Sequence, residues 1–239
     1  MSKNSFGVIL FRENFKTKQL EVLVVQRRFT YAFFDFVLGK YTNIDHARNM
    51  FNNMTSTELL EIYSLNFERL WCKIWIDRAH EAYFKAFNRF NCNFMYDGGL
   101  TLKRYILAAI PTGELLWNCP KGQKEFKSKE TDILCAVREL KEETSYEKRQ
   151  YTILPNVTRK IAYIHDGIRY VSKFYIGFLN QNITVHRFDI IKAKEIEQQK
   201  WVTMNELKTL NSRPFLENLV KPAKKLIKKY RKGKFNIEL

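Results

Sequence analysis

The periodicity of the chain changes twice along its length, and this constrains its fold more than any other feature. SFGVILF (residues 5–11) and LEVLVVQ (residues 20–26) are apolar runs joined by the polar turn RENFKTK, and they read as two β-strands. From about Phe34 to Ile110 the pattern is helical. In FERLWCKIWIDRAHEAYFKAF, Phe67, Leu70, Trp71, Ile74 and Trp75 recur at helical spacing. Asp97-Gly98-Gly99 breaks the run, LTLKRYILAAI forms a last short helix, and Pro111-Thr112-Gly113 ends it. β character then returns with ELLWNCP. Two strands alone are marginal in water, so the opening pair is expected to join strands on the far side of the helical stretch. The expected fold class is therefore α+β. A mixed sheet built from residues 1–35 and 113–239 is interrupted by an all-helical insertion at 36–112.

Further elements follow the same rules. A helix is expected from about Thr131 to Thr144. RKIAYIHDGIRYVSKFYIGFL reads as a hairpin with Asp166-Gly167 as its turn pair. QQKWVTM reads as a strand, and a basic terminal helix is expected to begin at Pro222, a residue suited to a first helical position.

The formal net charge is +16. Little of it lies in residues 36–112, where nine Lys and Arg face seven acids. From Lys221 to Lys234 eight basic residues occur with no acid. Such a balance suits a polyanion: nucleic acid, polyphosphate or an anionic membrane surface. Cys72, Cys92, Cys119 and Cys135 form no CxxC pair and read as reduced thiols. FGVILF is too short for a signal-peptide core and no apolar run approaches a membrane span. The expectation is a soluble, cytoplasmic protein.

Against this positive background, VRELKEETS (residues 137–145) sets Glu139, Glu142 and Glu143 on one helical turn. At 100° per residue they fall within about 100° of one another, and like charges at this spacing repel. Ile133, Val137, Leu140 and Thr144 lie nearly opposite, so the helix is expected to bury that stripe and turn its carboxylates outward. Arg138, four residues before Glu142, is placed to orient them. Hard oxygen donors of this kind suit Mg²⁺ or Mn²⁺; the bland reading is a solvated charged face.

The neighbouring segments decide between these readings. WNCPKG (residues 117–122) precedes the helix and KEIEQQKW, with Glu195 and Glu197, follows it. Together they resemble the Nudix hydrolase signature, G-x5-E-x7-R-E-U-x-E-E-x-G-U, with U a bulky apolar residue. Gly122 opens it, Glu130 precedes Arg138 by eight residues, and RELKEE matches throughout. Two positions depart from it: seven residues, QKEFKSK, separate Gly122 from Glu130, and Ser145 stands where the pattern has glycine. The resemblance implies a Nudix α/β/α sandwich. It also implies that Glu139, Glu142, Glu143, Glu195 and the Gly122 carbonyl hold metal. The catalytic set would be Arg138, Glu142, Glu143 and Glu195, with Glu197 competing with Glu195 as general base.

RRFTYAFFDFVLGKY, MFNNMT and FERLWCKIWID further resemble the helical insertion of mRNA-decapping Nudix enzymes of large DNA viruses, a likeness covering nearly the whole chain. It implies hydrolysis of the phosphate bridge of capped mRNA, releasing methylated GDP and 5′-monophosphate RNA, in the host cytoplasm if the protein is viral. The alternative is a diphosphoinositol polyphosphate or nucleotide diphosphate hydrolase, to which the same basic density is suited. An idle RNA-binding fold would not need a complete RELKEE. Candidate RNA contacts are Arg27, Arg28, Lys40, Arg48, Lys103, Arg104, Lys121, Lys225, Lys228 and Lys229. Phe33, Phe34, Tyr41, Trp71 and Trp75 offer aromatic faces to a methylated base, although Phe67, Trp71 and Trp75 read first as core. In the terminal helix Leu226, Ile227 and Tyr230 form the expected apolar stripe.

Overall fold

The structure, a computed structural model, describes residues 2–74, 81–125, 129–165, 168–180, 188–189, 195–212 and 216–231. The chain forms two compact units, residues 1–26 with 116–239 and residues 27–115. Strands β1 (Ser2–Glu13) and β2 (Leu20–Arg27) open it. Six α-helices follow among the described residues of the second unit: α1 (Tyr31–Val37), α2 (Ile44–Asn52), α3 (Ser56–Ser64), α4 (Phe67–Ile74), α5 (Glu81–Phe90) and α6 (Leu100–Ala108). The first unit resumes with β3 (Trp117–Asn118), β4 (Lys121–Gly122) and α7 (Asp132–Thr144). Then come β5 (Tyr151–His165), β6 (Ile168–Leu179), β7 (Ile196–Val202), α8 (Met204–Thr209) and α9 (Leu216–Arg231).

The sheet runs β3-β2-β1-β6-β5, with β4 paired to β1 and β7 to β2. It is mixed. β1 lies antiparallel to β2 and parallel to β6, from Ser2 opposite Arg169 to Phe11 opposite Phe178. Successive side chains of β1 point to opposite faces. Val8 and Leu10 join Leu23, Cys135, Ala136 and Leu140 under α7, whereas Ile9 and Phe11 join Val24, Leu219, Val220 and Ile227 under α9. Both faces are thus covered, giving the α/β/α sandwich expected from the sequence. The hairpin closes with His165 opposite Ile168, and its expected turn pair, Asp166 and Gly167, lies outside the described residues. β5 begins earlier than the hairpin motif indicates. Pro155 falls at a register shift between Ile153 and Thr158, where a missing N–H breaks no ladder bond.

The helical unit has an aromatic core. The Phe36 ring centroid lies 5.0–6.2 Å from those of Tyr41, Phe51, Phe90 and Phe94. Phe33, Tyr41 and Trp71 are at most 1% exposed, so these three cannot present a face to a methylated base. Trp75 lies outside the described residues. The units divide at 26/27 and 115/116, not at 35/36 and 112/113, because Phe33, Phe36 and Val37 of α1 belong to the helical core. Glu58 fixes this helix from inside. It is 3% exposed, and its carboxylate accepts from the Thr30 N–H (2.6 Å) and hydroxyl (2.9 Å), and from those of Thr55 (2.8 and 3.1 Å). The N-caps of α1 and α3 therefore share one acceptor. Glu58→Gln removes one acceptor oxygen and turns an amide donor towards donors. We expect it to lower unfolding stability by about 2–3 kcal/mol in a urea titration.

The terminal helix departs from expectation. α9 includes Leu216, and Pro222 lies inside it without an N–H for the Asn218 carbonyl. Burial of Leu216, Leu219, Val220, Ala223 and Ile227 outweighs that loss. Leu226 and Tyr230 flank this stripe as partly buried residues.

Candidate active site

α7 starts at Thr131, whose hydroxyl accepts from the Leu134 N–H at 3.4 Å. Its buried face is Cys135, Ala136, Leu140 and Thr144. Ile133 is 38% exposed, which corrects the expected stripe. The small Cys135 and Ala136 take the inner positions, and the helix turns about its axis accordingly. Glu139 is therefore carried inward. Only 13% of its side chain is exposed, while 53% of Glu142 is. The helix ends in a left-handed residue, as the signature requires. It is Ser145, at φ 64°, whose N–H donates to Lys141 O and whose hydroxyl accepts from the Asp189 N–H.

Two glycines bring the strands to this helix. β4 pairs with β1 so that Lys121 faces Gly7 and Gly122 faces Phe6, and the Val8 N–H donates to the Pro120 carbonyl at 3.2 Å. A Cβ on Gly7 would strike the Pro120 carbonyl and lie 2.6 Å from Lys121 Cβ. A Cβ on Gly122 would overlap the Glu139 carboxylate. The helix and the strand segment can meet only because both positions lack a side chain. Gly7 was not among the sequence candidates. Its signal was a glycine inside an otherwise well-formed strand, a mark of close backbone approach.

Arg138 sits at the centre of the carboxylates. Its guanidinium grips Glu130 twice, at 2.9 and 3.1 Å, and donates to Glu139 at 2.8 Å, Glu142 at 3.0 Å and the Gln123 carbonyl at 3.0 Å. The two extra loop residues thus leave the Glu130–Arg138 pairing in place. These bonds raise the Arg138 pKa above its ordinary value and lower that of Glu130. Glu143 accepts from the Lys121 N–H at 3.0 Å, tying the helix to β4. Arg138→Lys keeps one charge but loses the planar fork. We expect kcat to fall about 10–100-fold in a hydrolysis assay, the effect usual for a residue that orients ligands.

Glu139 is the carboxylate of this site whose charge is most opposed by its surroundings. Burial pushes its carboxyl up to about 7; Arg138 opposes the shift, and the charges of Glu142 and Glu195 add to it. Glu195, immediately before β7, is thus placed near Glu139 in the fold. Among the described residues no three acidic, histidine or cysteine side chains already form a metal cluster, and Arg138 and the Lys121 N–H engage the glutamates. The residues nevertheless suit a divalent cation. Glu139 is a desolvated carboxylate beside two further acids, pressed on a glycine whose side chain would fill the space, and all donors are hard oxygens.

The NUDIX domain profile matches residues 91–226. The chain belongs to the Nudix hydrolase family. This family generally depends on divalent metal ions. The chain is 33% identical to the mRNA-decapping protein g5R of African swine fever virus (isolate Warthog/Namibia/Wart80/1980), over 95% of this chain and 97% of that protein. It is also 33% identical to the g5R protein of the Badajoz 1971 Vero-adapted strain, over 95% of both. A C. elegans Ap4A hydrolase binary complex aligns at a TM-score of 0.49 and 14% identity, covering 95% of this chain and 98% of that one. The Nudix profile begins inside the helical unit, although β1 and β2 lie in the same sheet as β6.

The candidate RNA contacts fall in both units. In the helical unit Lys40, Arg48, Lys103 and Arg104 are exposed, while Arg27 and Arg28 are half-buried. Arg27 lies over the rings of Tyr31 (4.6 Å) and Phe34 (5.9 Å), Arg48 over Tyr105 (5.1 Å) and Lys103 over Tyr63 (5.6 Å). In the Nudix unit Lys225, Lys228 and Lys229 are exposed on α9, and Lys121 is half-buried. Among the described residues no helix is long and apolar enough to cross a membrane.

Proposed function

We propose that the protein is an mRNA-decapping Nudix hydrolase acting on capped RNA in the cytoplasm of a host cell. The observation that carries this reading is the end-to-end likeness to g5R, 33% identity over 95% of the chain. Mg²⁺ or Mn²⁺ would be held by Glu139, Glu142 and Glu143 with Glu195 and the Gly122 carbonyl. When bound, such an ion neutralises phosphate charge and makes a hydroxide available near neutral pH.

The chain's own groups supply the rest. Glu195 takes the proton of the attacking water, a role its position near Glu139 supports. Arg138 keeps Glu139 and Glu142 in register. Oxygen from water joins phosphorus, the bridging P–O bond breaks, and methylated GDP leaves from RNA bearing a 5′-monophosphate. Exposed lysines and arginines hold the polyanion, giving an affinity that falls with salt. With Phe33, Tyr41 and Trp71 in the core, Phe34, which shares Arg27 with Tyr31, is offered to a methylated base.

The test is hydrolysis of cap-labelled RNA with Mg²⁺ or Mn²⁺, comparing the natural protein with Glu142→Gln. Release of methylated GDP by the natural protein, lost in the variant, is the expected result. Intact caps alongside cleavage of a diphosphoinositol polyphosphate would overturn the assignment in favour of the small-molecule reaction.

A further inference from the structure

The Nudix unit also has a cationic recess, remote from α7. A groove of about 420 Å³ is lined by Lys18 and Gln19 of the β1–β2 turn, Thr203 and Asn205 at the start of α8, and Lys224 and Lys228 of α9. It cannot serve the carboxylates around Gly122. Gly122 pairs with Phe6, whereas the groove opens beyond Glu13, seven residues farther along β1. At about 3.3 Å per residue this is roughly 23 Å. α9 also packs on the sheet face opposite α7.

The turn that supplies Lys18 is built, not slack. The Asn14 side chain accepts from the Lys16 and Thr17 N–H groups at 3.0 and 3.1 Å, and the Lys18 N–H donates to Asn14 O at 2.9 Å. Lys18 is held at φ 57°, a conformation rare for a long side chain. Its ammonium lies 4.8 Å over the ring of Phe15, which is 87% exposed. On α9, Lys224 is partly buried beside Lys228, and burial first, then that neighbour, lower its pKa. The nearest acid of α8, Glu206, is turned to the Thr203 N–H at 2.7 Å. Three lysines thus line a groove whose other polar walls are hydroxyl and amide, and an exposed aromatic lies against one of them. Lysines so gathered suit a phosphate, and an exposed ring beside them suits the base of an unpaired nucleotide.

We propose that this groove is an accessory phosphate site. It takes a phosphodiester group of single-stranded RNA between Lys18, Lys224 and Lys228, with Phe15 as the stacking face for the adjoining base. The site stands on its own geometry and does not require the reaction assigned to α7.

Binding of a fluorescent oligouridylate to the full chain tests it by anisotropy across a salt series. Inorganic tripolyphosphate, read by thermal shift, is the second probe. The variants are Lys18→Asn with Lys224→Gln, where asparagine tolerates the left-handed backbone, and Phe15→Ala. Lys208→Gln, on the exposed side of α8, removes a charge outside the groove. The expected result is at least about five-fold weaker RNA binding in the double variant and in Phe15→Ala. The slope of log affinity against log salt should fall by about one in the double variant, with Lys208→Gln close to the natural protein. Loss of the tripolyphosphate shift alone, with RNA binding intact, would keep a phosphate site and overturn its assignment to RNA. Equal behaviour of the double variant and Lys208→Gln towards both probes, with melting curves showing all variants folded, would overturn the site itself.

Discussion

Glu139→Gln is expected to abolish hydrolysis while making the metal-free protein more stable at alkaline pH. The carboxyl of Glu139 sits at about 7 in the fold, against 4.5 as its ordinary value. The protonated form therefore favours the folded state. That contribution is complete below about pH 4.5 and is lost as pH rises through about 7. Glutamine stays neutral and does not lose it. In EDTA the variant should exceed the natural protein by about 2–3 kcal/mol at pH 8, with the difference closing below pH 5. Activity should fall by about 10²–10⁴ under any metal, the range for a group lost from the reacting centre. Urea titrations at the two pH values, run beside a hydrolysis assay, check both halves. A variant destabilised at pH 8 would contradict the electrostatic account of this helix.

Gly7→Ala should be nearly as damaging, although Gly7 carries no chemistry. The added methyl meets the Pro120 carbonyl and Lys121 Cβ, and neither is the free end of a flexible side chain. Either β4 retreats from β1 or the sheet distorts. Overpacking of this kind costs about 1–3 kcal/mol. Retreat of β4 would also carry Gly122 away from Glu139 and the Lys121 N–H away from Glu143. We expect a loss of about 2 kcal/mol in urea and a fall of about ten-fold or more in kcat, since small misplacements of positioned groups are expensive. Ala at this site with unchanged stability and kcat would show that β4 is not held to β1 as described.

Much of this architecture was legible because the decisive signals are local. A change from period two to helical spacing marked the inserted helices, RELKEE marked α7, and Ser145 fell at the left-handed end of the helix, where the signature has glycine. What the sequence concealed depends on partners distant in the chain. Ile133 and Cys135 are both apolar but point to nearly opposite sides of the helix, and only the closeness of β1 selects the smaller pair, Cys135 and Ala136, for burial. Phe33 and Tyr41 look like available rings until the Phe36 cluster closes around them. Pro222 resembles a helix start, but the apolar residues before it extend α9 backwards past it. The strand β4 is two residues long and carries no periodicity, so only the absence of a Cβ on Gly7 records that it must pack there.

The parallel pairing of β1 with β6 also sets an order of events during synthesis. β1 leaves the ribosome first, yet its partner ends at Leu179. Before Asp132 Val8 and Leu10 have β2 beside them but neither α7 nor β6 to cover them, and β6 arrives only after α7. The helical unit, residues 27–115, is complete much earlier and draws its core from within its own span. The nascent chain thus holds a finished helical body while the hairpin is unfinished, and the slow, long-range step comes last. A chain truncated before Asp132 should show protease-resistant helices and a digestible amino terminus. That hairpin keeps its apolar face uncovered until the second half of the Nudix fold emerges.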